Sequence, residues 1–201
     1  MNTYYFDNGA TTKVKQEVVN EMIPYFSENY GNPSSVYGIA RDAKKAIEEA
    51  REKVANLIGA KKQEIYFVGC GSEADNTALK GIAYEKQKEG NHIITSKIEH
   101  PAILETCKFL EKQGFEITYL NVDKNGFVDL NELRRSITSK TILISIMFAN
   151  NEIGTIEPIE DIAKIAKENK IIFHTDAVQA VRKCKNKCTW YGNWYVILIR
   201  T

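Results

Sequence analysis

Residues 141–154 read Thr141-Ile142-Leu143-Ile144-Ser145-Ile146-Met147-Phe148-Ala149-Asn150-Asn151-Glu152-Ile153-Gly154, an apolar, β-branched run that breaks abruptly into a polar cluster. The run predicts a strand over 141–148, and the cluster marks the end of it. Working outward, similar short runs predict strands over 64–68, 92–95, 115–120 and 170–174. Between them lie amphipathic stretches of helical period. In the clearest, 39–58, Ala40, Ala43, Ile47, Ala50, Val54 and Leu57 recur at spacings of three and four, and Gly59 stands as the stop. Further helices are predicted over 72–89, 101–113, 129–137 and 158–169, two of them opening on Pro. Strands alternating with helices imply a three-layer α/β domain, a mostly parallel sheet with flanking helices joined by right-handed crossovers. In such sheets ligands bind at the carboxyl ends of the strands.

The composition supports a packed core. Of 201 residues, 43% are hydrophobic and 26% charged, which excludes disorder and collagen-like repeats. The longest apolar stretches, 142–149 and 195–199, fall well short of the ~18 residues a bilayer crossing needs. No membrane span is expected, and with neither a basic n-region nor an apolar h-region at the N-terminus the expected address is the cytosol. Disulfides are not expected there. Charge is balanced overall at 27 basic and 26 acidic residues, yet unevenly placed. From residue 182 onward come Arg182, Lys183, Lys185, Lys187 and Arg200 with no acidic residue, together with both tryptophans, Trp190 and Trp194.

Four polar clusters follow predicted strands. Val68-Gly69-Cys70-Gly71-Ser72-Glu73-Ala74-Asp75-Asn76 is a small-residue turn running into a helix, where the N–H groups of Gly69 and Gly71 and the Ser72 hydroxyl suit an anion. Taken alone, it reads equally as a plain connector. His100 stands just before a Pro-started helix, as a cap or as a titratable ring facing a ligand. Asn150 and Asn151 suit an Asx turn or a polar contact to a ligand. Asp176 leaves the last strand as a helix cap or as a buried functional acid. The four together fall on one face of the sheet.

Those clusters carry a resemblance. Tyr5-Phe6-Asp7-Asn8-Gly9-Ala10-Thr11-Thr12, Gly31-Asn32-Pro33-Ser34-Ser35, Gly71-Ser72-Glu73-Ala74-Asp75-Asn76, Glu99-His100-Pro101-Ala102, Asn150-Asn151-Glu152-Ile153-Gly154 and His174-Thr175-Asp176-Ala177-Val178-Gln179 follow in order. In these the sequence resembles the cysteine desulfurases of the class V aminotransferase group, which use pyridoxal 5′-phosphate. The resemblance implies that Gly71 and Ser72 hold the cofactor phosphate, with Cys70 standing where the family has a glycine. It implies that His100 stacks on the pyridine ring and shuttles protons, and that Asp176 pairs with the pyridinium nitrogen. Asn151 and Gln179 would hydrogen-bond around the phenolic oxygen. The implied substrate is L-cysteine, converted to alanine while sulfur passes to an enzyme persulfide for iron–sulfur or thio-cofactor assembly. A sulfur-acceptor or scaffold protein and a homodimeric partner are implied as well, with no nucleic acid or membrane.

The resemblance spans residues 1–181 as the N-terminal part of the transferase domain. Residues 182–201 form a divergent tail whose sudden change of charge suggests translation out of frame. The family's Schiff-base lysine lies in a Ser/Gly-His-Lys motif, and no His-Lys dipeptide follows Asp176. Neither the sulfur-accepting cysteine loop nor the substrate-binding arginine of the family's second half is found, so the chain is expected to be inactive alone. Cys107 reads as a core residue. Cys184 and Cys188 could be read as a metal pair beside a basic, aromatic nucleic-acid patch, a weaker reading because structural zinc takes four ligands. Two alternatives stand beside the desulfurase reading: a non-catalytic partner of an intact homologue, or part of a selenocysteine lyase or another class V transferase.

Overall fold

A computed structural model describes residues 4–181 and the strand Trp194–Ile197. The tail residues Arg182, Lys183, Cys184, Lys185, Lys187, Cys188, Trp190 and Arg200 lie outside the described residues, and so do the readings attached to them. The chain divides into two compact units, one ending at Phe67 and one beginning at Val68 that takes in that last strand.

The first unit is helical. It holds α1 (Gln16–Met22), α2 (Pro24–Ser27), α3 (Gly38–Ile58) and a 3₁₀ turn at Lys62–Glu64. The helix α3 matches the 39–58 expectation, and Gly59 ends it in the left-handed conformation at φ 73° while Ala60 N–H bonds back to the Ala55 carbonyl. The predicted apolar stripe is only partly used. Ala40, Ala43 and Ala55 are buried, whereas Ile47 and Leu57 stay exposed. The predicted strand at 64–68 is absent. Ile65 has extended dihedrals, but no strand among the described residues pairs with the segment, and a strand exists only through its ladder.

The second unit is the predicted α/β layer structure. Its elements are α4 (Gly71–Lys86), β1 (His92–Ser96), α5 (Pro101–Glu111), β2 (Glu116–Leu120), α6 (Leu130–Ser136), β3 (Thr141–Ser145), α7 (Ile159–Glu168), β4 (Ile172–Asp176) and β5 (Trp194–Ile197). All five strands are parallel, in the order β2-β1-β3-β4-β5. The fifth is an edge strand that overlaps the apolar stretch at 195–199. The strand expected at 170–174 begins two residues later because Lys170, at φ 58°, turns the chain out of α7 before extension can start. Asp176 therefore ends the strand instead of following it.

With right-handed crossovers, the step from β1 to β2 and the return from β2 to β3 put α5 on one face and α6 and α7 on the other. Packed against α5 is α4, so the unit has three layers. One core cluster joins Leu79, Ile82 and Ala83 of α4 and Ile103, Cys107 and Leu110 of α5 to Ile93, Phe115, Ile142 and Leu143. Cys107 is thus a core residue, its thiol pushed up to about 12 by burial. At the amino end of the sheet, the His92 ring reaches Thr141 on β3 through Nδ1 at 2.7 Å and Thr118 on β2 through Nε2 at 2.8 Å, tying three strands together. Chain direction reverses between β1 and β3, which opens a crevice at their carboxyl ends. No helix among the described residues is long and apolar enough to cross a membrane.

Candidate cofactor-binding site

Each wall of the crevice is built by a strand or helix end. The helix α4 runs back to the amino end of β1, which places its N-terminus at the carboxyl end of the sheet. Cys70 is its N-cap and supplies no side-chain cap bond, so the first-turn amides of Gly71 and Ser72 stay uncapped by any side chain. Gly71 is buried and Ser72 exposed. Cys70 lies at φ −164°, an extended backbone open to any residue, so the turn does not require a glycine there. The expectation for Gly69 needs correction. Its N–H donates to Glu73 Oε2 at 2.7 Å and is no longer free for an anion. The cradle is narrower than the sequence reading drew it.

His100, after β1, takes the cap reading considered for it. It caps α5, Nδ1 accepting the Ala102 N–H at 3.1 Å, and its ring is exposed. Because Nδ1 accepts, the proton of the neutral ring sits on Nε2. After β3, the two asparagines divide the roles. Asn150 takes the Asx turn, its Oδ1 accepting the N–H groups of Glu152 at 2.8 Å and Ile153 at 3.1 Å while Nδ2 donates to the Ile98 carbonyl at 2.9 Å. Asn151 is left half-buried beside it. After β4, Asp176 is buried, and its Oδ1 accepts the Val178 N–H at 3.0 Å. Burial raises its pKa, while the Val178 bond and the charge of His100 act in the opposite direction. Gln179 is half-buried in the turn that follows.

Glu99 has no role in the sequence reading, yet it organises the crevice. Fully buried, its Oε1 accepts the Ser96 hydroxyl at 2.6 Å and the Met147 N–H at 3.0 Å, joining the ends of β1 and β3. Burial pushes its carboxyl up to about 8. Its one legible signal is its place directly before His100. A second support is the loop 121–128. Glu157 Oε2 accepts the Val128 N–H at 3.1 Å, and the Thr155 hydroxyl bonds the Asn125 carbonyl, so this loop braces the segment after Asn151.

The donor set suits a phosphorylated, electron-poor heterocycle. Helix-end amides stand at the start of α4, an exposed imidazole after β1, and at the end of β4 a buried carboxylate with no cationic side chain in hydrogen-bond contact among the described residues. A protonated ring nitrogen is the kind of donor such a carboxylate lacks.

The Aminotransferase class-V family profile matches residues 4–192. This chain belongs to the class-V aminotransferase family. It is 59% identical over 177 residues to a protein named cysteine desulfurase IscS from Clostridium botulinum (strain Kyoto / Type A2), covering 88% of this chain and 45% of that one. To the cysteine desulfurase IscS of Methanosarcina thermophila it is 61% identical, covering 88% and 44%. The chain thus spans about half the length of the class-V relatives it matches. Among solved structures it resembles a NifS-like protein, with TM-score 0.85 and 47% identity over 88% of this chain and 49% of that one. It also resembles a protein described as SspA in complex with cysteine, with TM-score 0.86 and 44% identity over 89% and 51%. The likeness to cysteine desulfurases therefore holds in sequence and in fold.

Proposed function

We propose that this class-V chain is the pyridoxal-phosphate-binding part of a cysteine desulfurase. The observation that carries the reading is the convergence of Ser72, His100, Asn151 and Asp176 on the carboxyl end of one parallel sheet, in a chain close to 60% identical to named desulfurases. The cofactor, when bound, supplies a sink for the electrons released as a proton leaves the substrate Cα. The Gly71 and Ser72 amides and the Ser72 hydroxyl would hold its phosphate on the α4 dipole, and Asp176 would keep its ring nitrogen protonated. Asn151 and Gln179 would hydrogen-bond its phenolic oxygen. His100 would stack on the ring and carry a proton at Nε2, since Nδ1 is committed to Ala102. L-cysteine as substrate, a sulfur-acceptor protein, a homodimeric state and a cytoplasmic setting all belong to the same reading. Within it, residues 1–181 are the family-like part and 182–201 a divergent tail.

No His-Lys dipeptide follows Asp176 within the 201 residues. The proposal accordingly expects reversible cofactor binding, no covalent attachment and no turnover by this chain alone. The purified chain is titrated with pyridoxal phosphate by absorbance, treated with borohydride, mapped for labelled lysines, and assayed for alanine and sulfide from L-cysteine. Saturable binding that Asp176→Asn and Ser72→Ala weaken supports the reading. A stoichiometric label on one lysine, or turnover above a free-cofactor control, overturns the inactive part of it, and binding insensitive to both substitutions overturns the site.

A further inference from the structure

Beneath Asp176 lies a buried polar chain that the site does not account for. His174 sits two residues earlier on β4 and so projects to the same face of the sheet as Asp176. Its Nδ1 lies 2.8 Å from Ser145 Oγ, on the paired residue of β3. Its Nε2 lies 3.8 Å from Oδ1 of Asp75, which projects from α4 three and four residues after Ser72 and Gly71, on the helix face that carries the cradle. Both rings of contact are closed to water: His174 and Asp75 are 0% and 2% exposed. Nε2 and Oδ1 are each buried with no hydrogen-bond partner among the described residues. Two orphaned polar atoms facing each other across 3.8 Å are both satisfied if a single proton lies between them and the gap closes by about 1 Å.

Resting on the desulfurase reading above, we propose that Asp75 and His174 are positioning residues that share one proton as a neutral pair, Asp75 as the acid donating to Nε2, so that the negative charge at the ring-nitrogen end of the site belongs to Asp176. The ring proton then resides on Nδ1 and donates to Ser145 Oγ, and the relay Asp75–His174–Ser145 runs in one direction.

The charged alternative, an Asp75 carboxylate against a His174 imidazolium, is opposed from both sides. Burial pulls the His174 ring down to about 3. Burial and, second, the charge of Asp176 push Asp75 up to about 7. The charge of Asp176 disfavours a second carboxylate at Asp75, and the carboxyl facing the orphaned His174 Nε2 is the one that keeps its proton. Of the other titratable groups at this end of the site, His100 from the cap of α5 lowers Asp176, and Glu99 at the end of β1, pushed up to about 8 chiefly by burial, is raised further by the charge of Asp176.

The chain has three histidines, so its imidazole nitrogens are separable. Long-range proton–nitrogen spectra of the full chain, free of cofactor, are recorded between pH 5.5 and 6.5, below the value of about 7 at which Asp75 gives up its proton, with His92→Gln and His100→Asn assigning His174 by elimination. The expected result is a neutral His174 with a protonated Nδ1 and an accepting Nε2, unchanged in Asp75→Asn, whose amide donates to Nε2 as the acid does. The carboxyl carbon of Asp176 should titrate at the same midpoint in wild type and in Asp75→Asn. An imidazolium at His174, a proton on Nε2, or an Asp176 midpoint lowered by a full pH unit or more in Asp75→Asn overturns the proposal. Should Asp75→Asn fail to fold, the wild-type tautomer alone decides. A chain that binds no cofactor but shows the expected tautomer would defeat the functional reading and leave the pair standing.

Discussion

His100 pairs a helix cap with an exposed ring, two features separable at the level of the side chain. Its Nδ1 caps α5, which any short acceptor can do, while its exposed ring is what a stacking partner would need. Asparagine keeps the first and loses the second. His100→Ala should therefore lower stability by about 0.5–1 kcal/mol through the lost cap, whereas His100→Asn should stay close to wild type. Both should weaken pyridoxal-phosphate binding to a similar degree. Urea midpoints beside cofactor titrations check this, and cofactor affinity restored in His100→Asn would mean that the ring contributes only its cap. The asparagine pair teaches the same lesson: the sequence offers an Asx turn at either residue, and the structure places it at Asn150.

Elements were legible where their pattern is local, and obscure where a partner decides. The helix α3 could be read from its period and its terminal glycine, and α5 from Pro101. The strand at 64–68 could not be settled that way, because extended dihedrals become a strand only when another chain segment supplies the ladder. The four strand-end clusters were visible as polar breaks after apolar runs. Their supports were not: Glu99 and Asp75 look like ordinary surface acids in the sequence, and only packing shows that they are buried. The loop 121–128 is another such support. Gly126 lies at φ 87°, and a Cβ there would come within 2.3 Å of Ile153 Cδ1 and 2.9 Å of Thr155 Oγ1. Gly114 has a similar φ of 92° but open space around it. Gly126→Ala should cost about 1–3 kcal/mol and Gly114→Ala about 1 kcal/mol, the difference arising at Thr155, whose hydroxyl is held by the Asn125 carbonyl, since the exposed Ile153 methyl can swing aside. Equal losses in chemical denaturation would show that the brace at Gly126 does not exist.

Across the molecule, buried acids set how stability responds to pH. In the fold, Glu99, Asp75 and Glu157 keep their protons to about 8, 7 and 7, each raised chiefly by burial, against ordinary values of 4.5, 3.8 and 4.5. Over those intervals the folded chain binds more protons than the unfolded one, so stability falls as pH rises. His92 and His174 act oppositely, since burial lowers both below 6.5 and the unfolded rings take up protons that the fold excludes. Their contribution is complete above about 6.5, leaving the acids alone between 6.5 and 8. The urea midpoint should therefore drop from pH 6.5 to pH 8, and Glu99→Gln, which mimics the protonated acid, should flatten the upper part of that drop. A midpoint that rises over this interval would show these carboxyls to be ionised in the fold. The strand order carries one more consequence, for synthesis on the ribosome. After β1 and β2 pair, β3 joins the free edge of β1, β4 joins β3 and β5 joins β4, so every later strand docks on one already made. The sheet can grow in step with translation. At roughly 5–20 residues per second, the α4 amides emerge some 5–20 s before Asp176, so a nascent chain would display the uncapped start of α4 well before the buried acid at the end of β4.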